Sequence, residues 1–141
     1  MLAIILALGA ALAAAGVAIF GKIGLEGVDS TLATTVRAII MAVFLVVVTL
    51  LMGKISVEGI GAISGRAWLF ITLAGIAGAL SWLFYFSALQ IGSASVVSAI
   101  DRLSIVLVVI FAGLFLAEGF SWASIAGAFL MVGGALLIAL R

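Results

Sequence analysis

The sequence predicts an all-α fold, a polytopic transmembrane helical bundle with five transmembrane helices. Of its 141 residues, 68% are hydrophobic and only 8% are charged, which is more apolar surface than a water-soluble domain can bury. The apolar residues form continuous runs of about 20 residues, the length that crosses a bilayer as a helix. Membrane β-barrels instead show shorter segments of alternating polarity. We therefore expect one membrane domain over residues 1–141.

The first two helices are predicted over residues 2–20 and 31–52. The first carries no charge, and it lacks the basic segment that precedes the apolar run of a signal peptide. A glycine-rich loop follows, in which Asp29 or Ser30 is expected to cap the second helix by accepting hydrogen bonds from its free N–H groups. Arg37 lies about two turns inside this helix, since a turn takes 3.6 residues.

The other three helices are predicted over residues 68–90, 95–117 and 122–140. The polar segment at residues 53–66 precedes the first of them and is expected to include a short interfacial piece. Trp68 follows it, as expected at a membrane interface, where the amphipathic tryptophan ring prefers to lie. The last helix carries no charge and is predicted to be scaffold or a dimer contact.

Polar side chains gather on one face of the third helix and on one face of the fourth. Within each helix they cover an arc of about 120° at 100° per residue. On the third helix, Trp82 and Tyr85 are open to two interpretations, as packing residues or as the lining of a pocket. On the fourth, Asp101 and Arg102 either snorkel to the headgroups or are enclosed within the bundle, because a charge at membrane depth costs about 3 kcal/mol.

Three helices bring polar groups to one level of the membrane. The second and fourth helices enter from the same face, and Arg37 and Asp101 each lie about six residues inside, or about 9 Å deep at 1.5 Å per residue. Tyr85 lies at a similar depth near the end of the third helix. We predict that Arg37 and Asp101 form an ion pair or share a water-filled vestibule. The candidate substrate-binding residues are Arg37, Ser81, Trp82, Tyr85, Ser98, Asp101 and Arg102.

The opposite face of the membrane carries a second set of charges. Lys54, Arg66 and Glu118 are predicted to form a structural interface layer there. Lys54 and Arg66 are balanced by Lys22 and Arg141 on the other side, so the excess of basic residues that orients membrane proteins is weak. A chain with so little orientation signal is expected to insert both ways, and two opposed copies would form an antiparallel homodimer.

The composition also excludes several classes of protein. With no cysteine and no histidine, disulfides, thiolate chemistry, zinc sites and a Ser-His-Asp triad are impossible. The five carboxylates show no metal-ligand spacing, so we expect neither a metal nor a cofactor, and no enzyme activity. The six basic residues are scattered, which gives no surface for nucleic acid.

Residues 86–122, FSALQIGSASVVSAIDRLSIVLVVIFAGLFLAEGFSW, resemble the end of an EamA domain, the five-helix unit of the drug/metabolite transporter superfamily. In that family the third helix ends in an aromatic-rich run, followed by a turn similar to residues 92–94. An acidic residue matching Glu118 precedes the last helix, and Lys22 and Arg37 also stand at matching positions. The likeness covers the whole chain but one unit only, as in the small five-helix bacterial and archaeal members, which implies a homodimer.

The resemblance implies a secondary transporter of small metabolites or drugs in the plasma or inner membrane. Such a protein would work by alternating access, with the lipid bilayer, a small-molecule substrate and a second copy as its partners. Because the basic residues at the polar level outnumber Asp101 and helix starts add positive dipole ends, we expect a substrate with a carboxylate or phosphate. Two alternatives stay open: a helical membrane scaffold without a substrate, favoured by the small-residue faces, and a lipid-carrier flippase of the same fold.

Overall fold

The computed structural model describes residues 1–116, 119 and 121–140, with the side chains of all of these except residues 57 and 58. The described part contains seven helices and no strand, which confirms the predicted all-α fold. The helices are α1 (Leu2–Gly24), α2 (Ser30–Leu51), α3 (Val57–Gly61), α4 (Gly65–Ile91), α5 (Ala94–Asp101), α6 (Ser104–Phe115) and α7 (Trp122–Ala139).

Five segments of the described chain are long and apolar enough to cross a membrane. They are α1, α2, α4, the α5–α6 segment taken as one span, and α7, so the prediction of five transmembrane helices is confirmed. The short helix α3 lies in the polar segment before α4. Most large apolar side chains of the spans are exposed, as expected where lipid, rather than a protein core, surrounds them.

Both ends of α2 are capped by the residues that flank it. The Asp29 carboxylate accepts hydrogen bonds from the amides of Thr31 at 2.9 Å and Leu32 at 3.0 Å, so Asp29 rather than Ser30 is the N-cap. At the other end, Gly53 adopts a φ of +63°, which costs glycine little. Its amide bonds the Leu50 carbonyl and the next amide, of Lys54, bonds the carbonyl five residues back, the pattern of a Schellman motif.

The fourth span is interrupted, whereas the sequence predicted one helix over residues 95–117. The amide of Leu103 bonds the Ile100 carbonyl, that of Ile105 bonds Arg102, and that of Val106 bonds Leu103. These bonds join residues three apart, the tighter spacing of a 3₁₀ turn, instead of four apart. Asp101 and Ser104 flank the interruption, and both side-chain types are weak helix formers because they compete for backbone hydrogen bonds.

The helices form two compact units. One unit is discontinuous in sequence, comprising Met1–Lys22 and Ile91–Arg141, and we call it the split unit. Within it, α7 packs against α5 and α6, and the Lys22 Nζ donates a hydrogen bond of 2.8 Å to the Gly92 carbonyl. The other, Ile23–Gln90, holds α2, α3 and α4 and is called the continuous unit.

Candidate functional site

Arg37 lies against aromatic rings of α4 in the continuous unit. Its guanidinium carbon is 3.6 Å from the centroid of the Trp82 ring and 5.1 Å from that of Phe86, both within the roughly 6 Å range of a cation–π contact. Trp82 and Phe86 are four residues apart, so a helix presents them on one face. The ring faces thus stabilise a cation that lies two turns inside a membrane helix.

The rest of the guanidinium has one further contact and one free donor. Arg37 Nη1 is 3.0 Å from the sulfur of Met41, one turn further along α2 and a weak acceptor. The Nε atom is buried and has no hydrogen-bond partner among the described residues. We call Arg37, Met41, Trp82 and Phe86 the arginine clamp. Since a buried donor without an acceptor costs free energy, the clamp is suited to an anionic group.

Tyr85 extends the aromatic surface next to the clamp. Its ring centroid lies 5.5 Å from that of Trp82, at an interplanar angle of 78°, and 6.1 Å from that of Phe86. Edge-to-face contacts of this kind stabilise aromatic clusters beyond the area they bury. Tyr85 is half-buried, whereas Ser81 is exposed. The structure therefore brings Arg37, Trp82 and Tyr85 together and leaves Ser81 outside the ring contacts.

Two polar contacts hold α2 and α4 in register around the clamp. The hydroxyls of Ser30 and Ser87 are 3.3 Å apart, and the Gln90 amide nitrogen donates a 3.0 Å bond to the Val28 carbonyl. Ser30 is seven residues before Arg37, two turns along the same helical face. These contacts fix the start of α2 against the end of α4, which places Arg37 opposite Trp82.

The split unit holds the other candidate residues, beside a cleft of about 310 Å³ between α1 and α5. We call it the small-residue cleft. Its α1 wall consists of apolar side chains, Ala11, Ala14, Ala15, Ala18 and Ile19. Its α5 wall consists of Ala94 and three polar residues, Ser95, Ser98 and Arg102. The structure thus brings the predicted residues Ser98 and Arg102 together on one wall.

Asp101 and Arg102 lie where α5 ends, and the side chains of both are exposed. Arg102 lines the small-residue cleft, and Asp101 is not among the lining residues. The predicted pair of Arg37 and Asp101 joins residues of different units and stays a prediction. Three or more acidic residues do not gather into a metal-ligating group in the part of the chain that the structure describes.

The predicted interface layer is described in part. Lys54 is exposed in the turn after α2. The Arg66 guanidinium carbon lies 5.9 Å from the centroid of the Phe70 ring, one turn along α4, so its partner within the helix is aromatic. Glu118 lies outside the described residues, and the predicted contact of Glu118 with Lys54 or Arg66 stays a prediction.

Sequence reasoning missed two members of the clamp and one wall of the cleft. Phe86 follows Trp82 by four residues, and Met41 follows Arg37 by four, so extending each helical face by one turn would have named both. The alanines of α1 carried no such signal. Small residues on a membrane helix usually indicate close packing, and here they border open space.

Comparisons with known proteins agree with one another. The model of the EamA-like transporter family matches residues 1–140. A Sinorhizobium sp. protein, named an uncharacterized transporter in the region 3′ of cobO, is 38% identical to this chain over 126 residues. That match covers 89% of this chain and 88% of the relative. Comparison with solved structures gave no match.

Proposed function

This chain belongs to the EamA-like transporter family, and we propose that it is a secondary transporter of small organic anions. Membership makes it a multi-pass membrane transporter; the class of cargo, the homodimer and alternating access are our proposal. We place it in the plasma or inner membrane. The proposed substrate-binding residues are Arg37, Ser81, Trp82 and Tyr85 of the continuous unit and, in the split unit, Ser98, Asp101 and Arg102.

One observation supports the anionic cargo above all others, and it is the environment of Arg37. A positive charge at membrane depth costs about 3 kcal/mol on insertion scales, so it needs a compensating role or partner. Rings cover the guanidinium, while Nε keeps a donor without an acceptor among the described residues. Guanidinium groups bind carboxylates and phosphates through two parallel hydrogen bonds, and a bound anion would compensate the charge of Arg37.

The aromatic surface suits the remainder of such a molecule. Trp82 and Tyr85 present ring faces and edges beside the clamp, so an apolar or planar body can pack there while the anionic group binds Arg37. Pockets of this composition, mostly apolar with a few placed polar groups, are typical of small-molecule sites.

The proposed homodimer follows from the length of the unit and from its charges. Secondary transporters commonly place their site between two repeats of inverted topology, and this chain matches the family model with one five-helix unit. The relative is matched over 88% of its length, so one such unit accounts for most of that protein. A second copy in the opposite orientation would supply the other repeat, and the weak basic bias permits both insertions.

Uptake into proteoliposomes tests the function. We expect accumulation of radiolabelled aromatic and aliphatic carboxylates, and not of organic ammonium ions, with an initial rate at least tenfold lower in Arg37→Gln. Arg37→Lys should keep part of the rate, because an ammonium keeps the charge but loses the planar fork. Arg66→Gln is the control for removing a positive charge elsewhere, and should transport normally.

Three results would contradict the proposal. Uptake that favoured organic cations would exclude an anion transporter. A folded protein that transports none of the panel would favour the membrane scaffold. Transport of a lipid-linked substrate would favour the flippase instead.

Labelling of single cysteines tests the dimer. Cysteines introduced at Gly21 and Gly119 should each react with a membrane-impermeant maleimide from both sides of the membrane if the two protomers are antiparallel. Labelling of each position from one side only would exclude that arrangement.

A further inference from the structure

We infer that the small-residue cleft of the split unit binds a short aliphatic carboxylate, with the carboxylate at Arg102 and the alkyl chain along the alanines of α1. This second subsite lies in the split unit, whereas the arginine clamp lies in the continuous unit. The inference rests on the proposed function only for the anionic class of ligand, since binding to the cleft requires no transport.

The shape of the cleft indicates an elongated molecule. Its α1 wall runs from Ala11 to Ile19, eight residues or about 12 Å along a helix at 1.5 Å per residue. The volume of about 310 Å³ equals that of roughly ten water molecules at about 30 Å³ each in the liquid. One short chain of about that many heavy atoms fits this space.

The distribution of polar groups gives the molecule one charged end. The α1 wall is entirely apolar, so it offers no partner for a polar tail. Arg102 is the last residue of the α5 wall and carries the only charge among the described lining residues, and the hydroxyls of Ser95 and Ser98 lie on the same wall. A cation at one end of an apolar groove complements an amphiphile with a single anionic head.

Among the described residues, no carboxylate pairs with Arg102, so its charge is open to a ligand. α5 ends just before it and α6 begins two residues after it, so the negative end of one helix dipole and the positive end of the next oppose each other there. Asp101 is exposed and does not line the cleft. The other basic residue near this cleft, Lys22, donates its hydrogen bond to the Gly92 carbonyl at the start of the α5 wall.

Three ligands of one shape test the inference in protein reconstituted into nanodiscs. Hexanoate, hexylammonium and 1-hexanol share the alkyl chain and differ in the head. We expect hexanoate alone to raise the Tm, by an amount that grows with the logarithm of one plus the ratio of the hexanoate concentration to its Kd. Partition of the ligands into lipid is shared by all variants, so the comparison between variants isolates the cleft.

Two pairs of variants locate the site. In Arg102→Gln we expect the Kd for hexanoate to rise about ten- to a hundredfold, the usual effect of losing a charged hydrogen bond, and Arg102→Lys should keep part of the affinity. Ala15→Leu fills the cleft and should abolish the shift. Ala13→Leu, an exposed position of α1 outside the cleft, should not.

The clamp variant separates the two subsites. Arg37→Gln should lose uptake and keep the Tm shift with hexanoate. An equal shift in Arg102→Gln, a shift that survives Ala15→Leu, or a shift lost in Arg37→Gln alone would overturn the inference. If Arg102→Gln does not fold, the Ala15→Leu and Ala13→Leu pair decides the outcome. Absence of transport by the unsubstituted protein, with its hexanoate shift intact, would reject the proposed function and leave the cleft assigned.

Discussion

The two units each carry an arginine inside a membrane span, and they accommodate it differently. In the continuous unit, rings of Trp82 and Phe86 cover Arg37, at 3.6 and 5.1 Å. In the split unit, Arg102 is exposed beside a cleft at an interruption of the helix. The first arrangement stabilises the charge with side chains already present. The second leaves the charge of Arg102 to be compensated by a ligand, lipid or solvent. The two arginines should therefore respond differently to the same substitution.

Removing the ring under Arg37 should have the largest effect. We expect Trp82→Ala to lower the free energy of unfolding by about 2–3 kcal/mol, because it removes both packing and the cation–π contact. Trp122→Ala is the matched control, since that ring is 86% exposed at the start of α7 and should cost far less. Unfolding in mixed micelles measures both. Equal losses would show that the clamp adds nothing to ordinary packing.

Exchanging each arginine for lysine compares the two sites directly. Arg37→Lys should destabilise the protein by about 1–1.5 kcal/mol, because a compact ammonium replaces the planar group stacked on the ring. Arg102→Lys should change stability by less than about 0.5 kcal/mol, as exposed substitutions usually do. Both are read from the same unfolding titration. A larger cost at Arg102 would contradict the contrast between the sites.

The N-terminal caps of α2, in the continuous unit, and α5, in the split unit, also differ in whether the cap residue makes hydrogen bonds. Asp29→Ala should cost about 1 kcal/mol, since it removes an N-cap that accepts two amide hydrogen bonds. Ser93 stands at the N-cap of α5 and makes no such bond, so Ser93→Ala should be close to neutral. Thermal unfolding of the two variants checks the difference, which vanishes if the Asp29 cap frays in the membrane.

The smallest expected effect is the coupling between Ser30 and Ser87. A double-mutant cycle with alanine at each position should give about 0.6 kcal/mol, the average of hydrogen bonds between membrane helices. Coupling of zero would mean that the hydroxyls, 3.3 Å apart, do not hold α2 and α4 in register.

The length of the apolar runs was enough to predict the five spans, because only a helix or a closed barrel satisfies its backbone in lipid. The cap of α2 was predictable as Asp29 or Ser30, because both side chains can accept hydrogen bonds from the free amides of a helix start, and the structure has Asp29 in that role. The interruption near Arg102 was not predictable, since the apolar pattern continues through it and three amides change partners within five residues. A local change of the backbone hydrogen bonds from four-residue to three-residue spacing does not alter the pattern of apolar residues, which is what hydrophobic periodicity detects.

The sequence predicted the candidate site from a shared membrane level, which stays a prediction, and it did not predict the contacts. Counting residues from the helix ends put Arg37 and Tyr85 at one depth, and the structure has Arg37 against rings of the same helix as Tyr85. Which ring it contacts depends on the rotation of two helices, and the hydroxyl and amide contacts that set it join residues about 60 apart. The cleft depends on a gap between α1 and α5, which alanine spacing does not distinguish from contact.

The hydrogen bond from Lys22 to Gly92 spans 70 residues of sequence, and this has a consequence for synthesis. The continuous unit is complete once residue 90 has been made, whereas α1 emerges first and waits for its partners. At about 5–20 residues per second, the delay is roughly 4–14 seconds. During that interval α1 has left the ribosome before the rest of the split unit has been synthesised. Insertion machinery or lipid must therefore surround this apolar helix until α5 has been made.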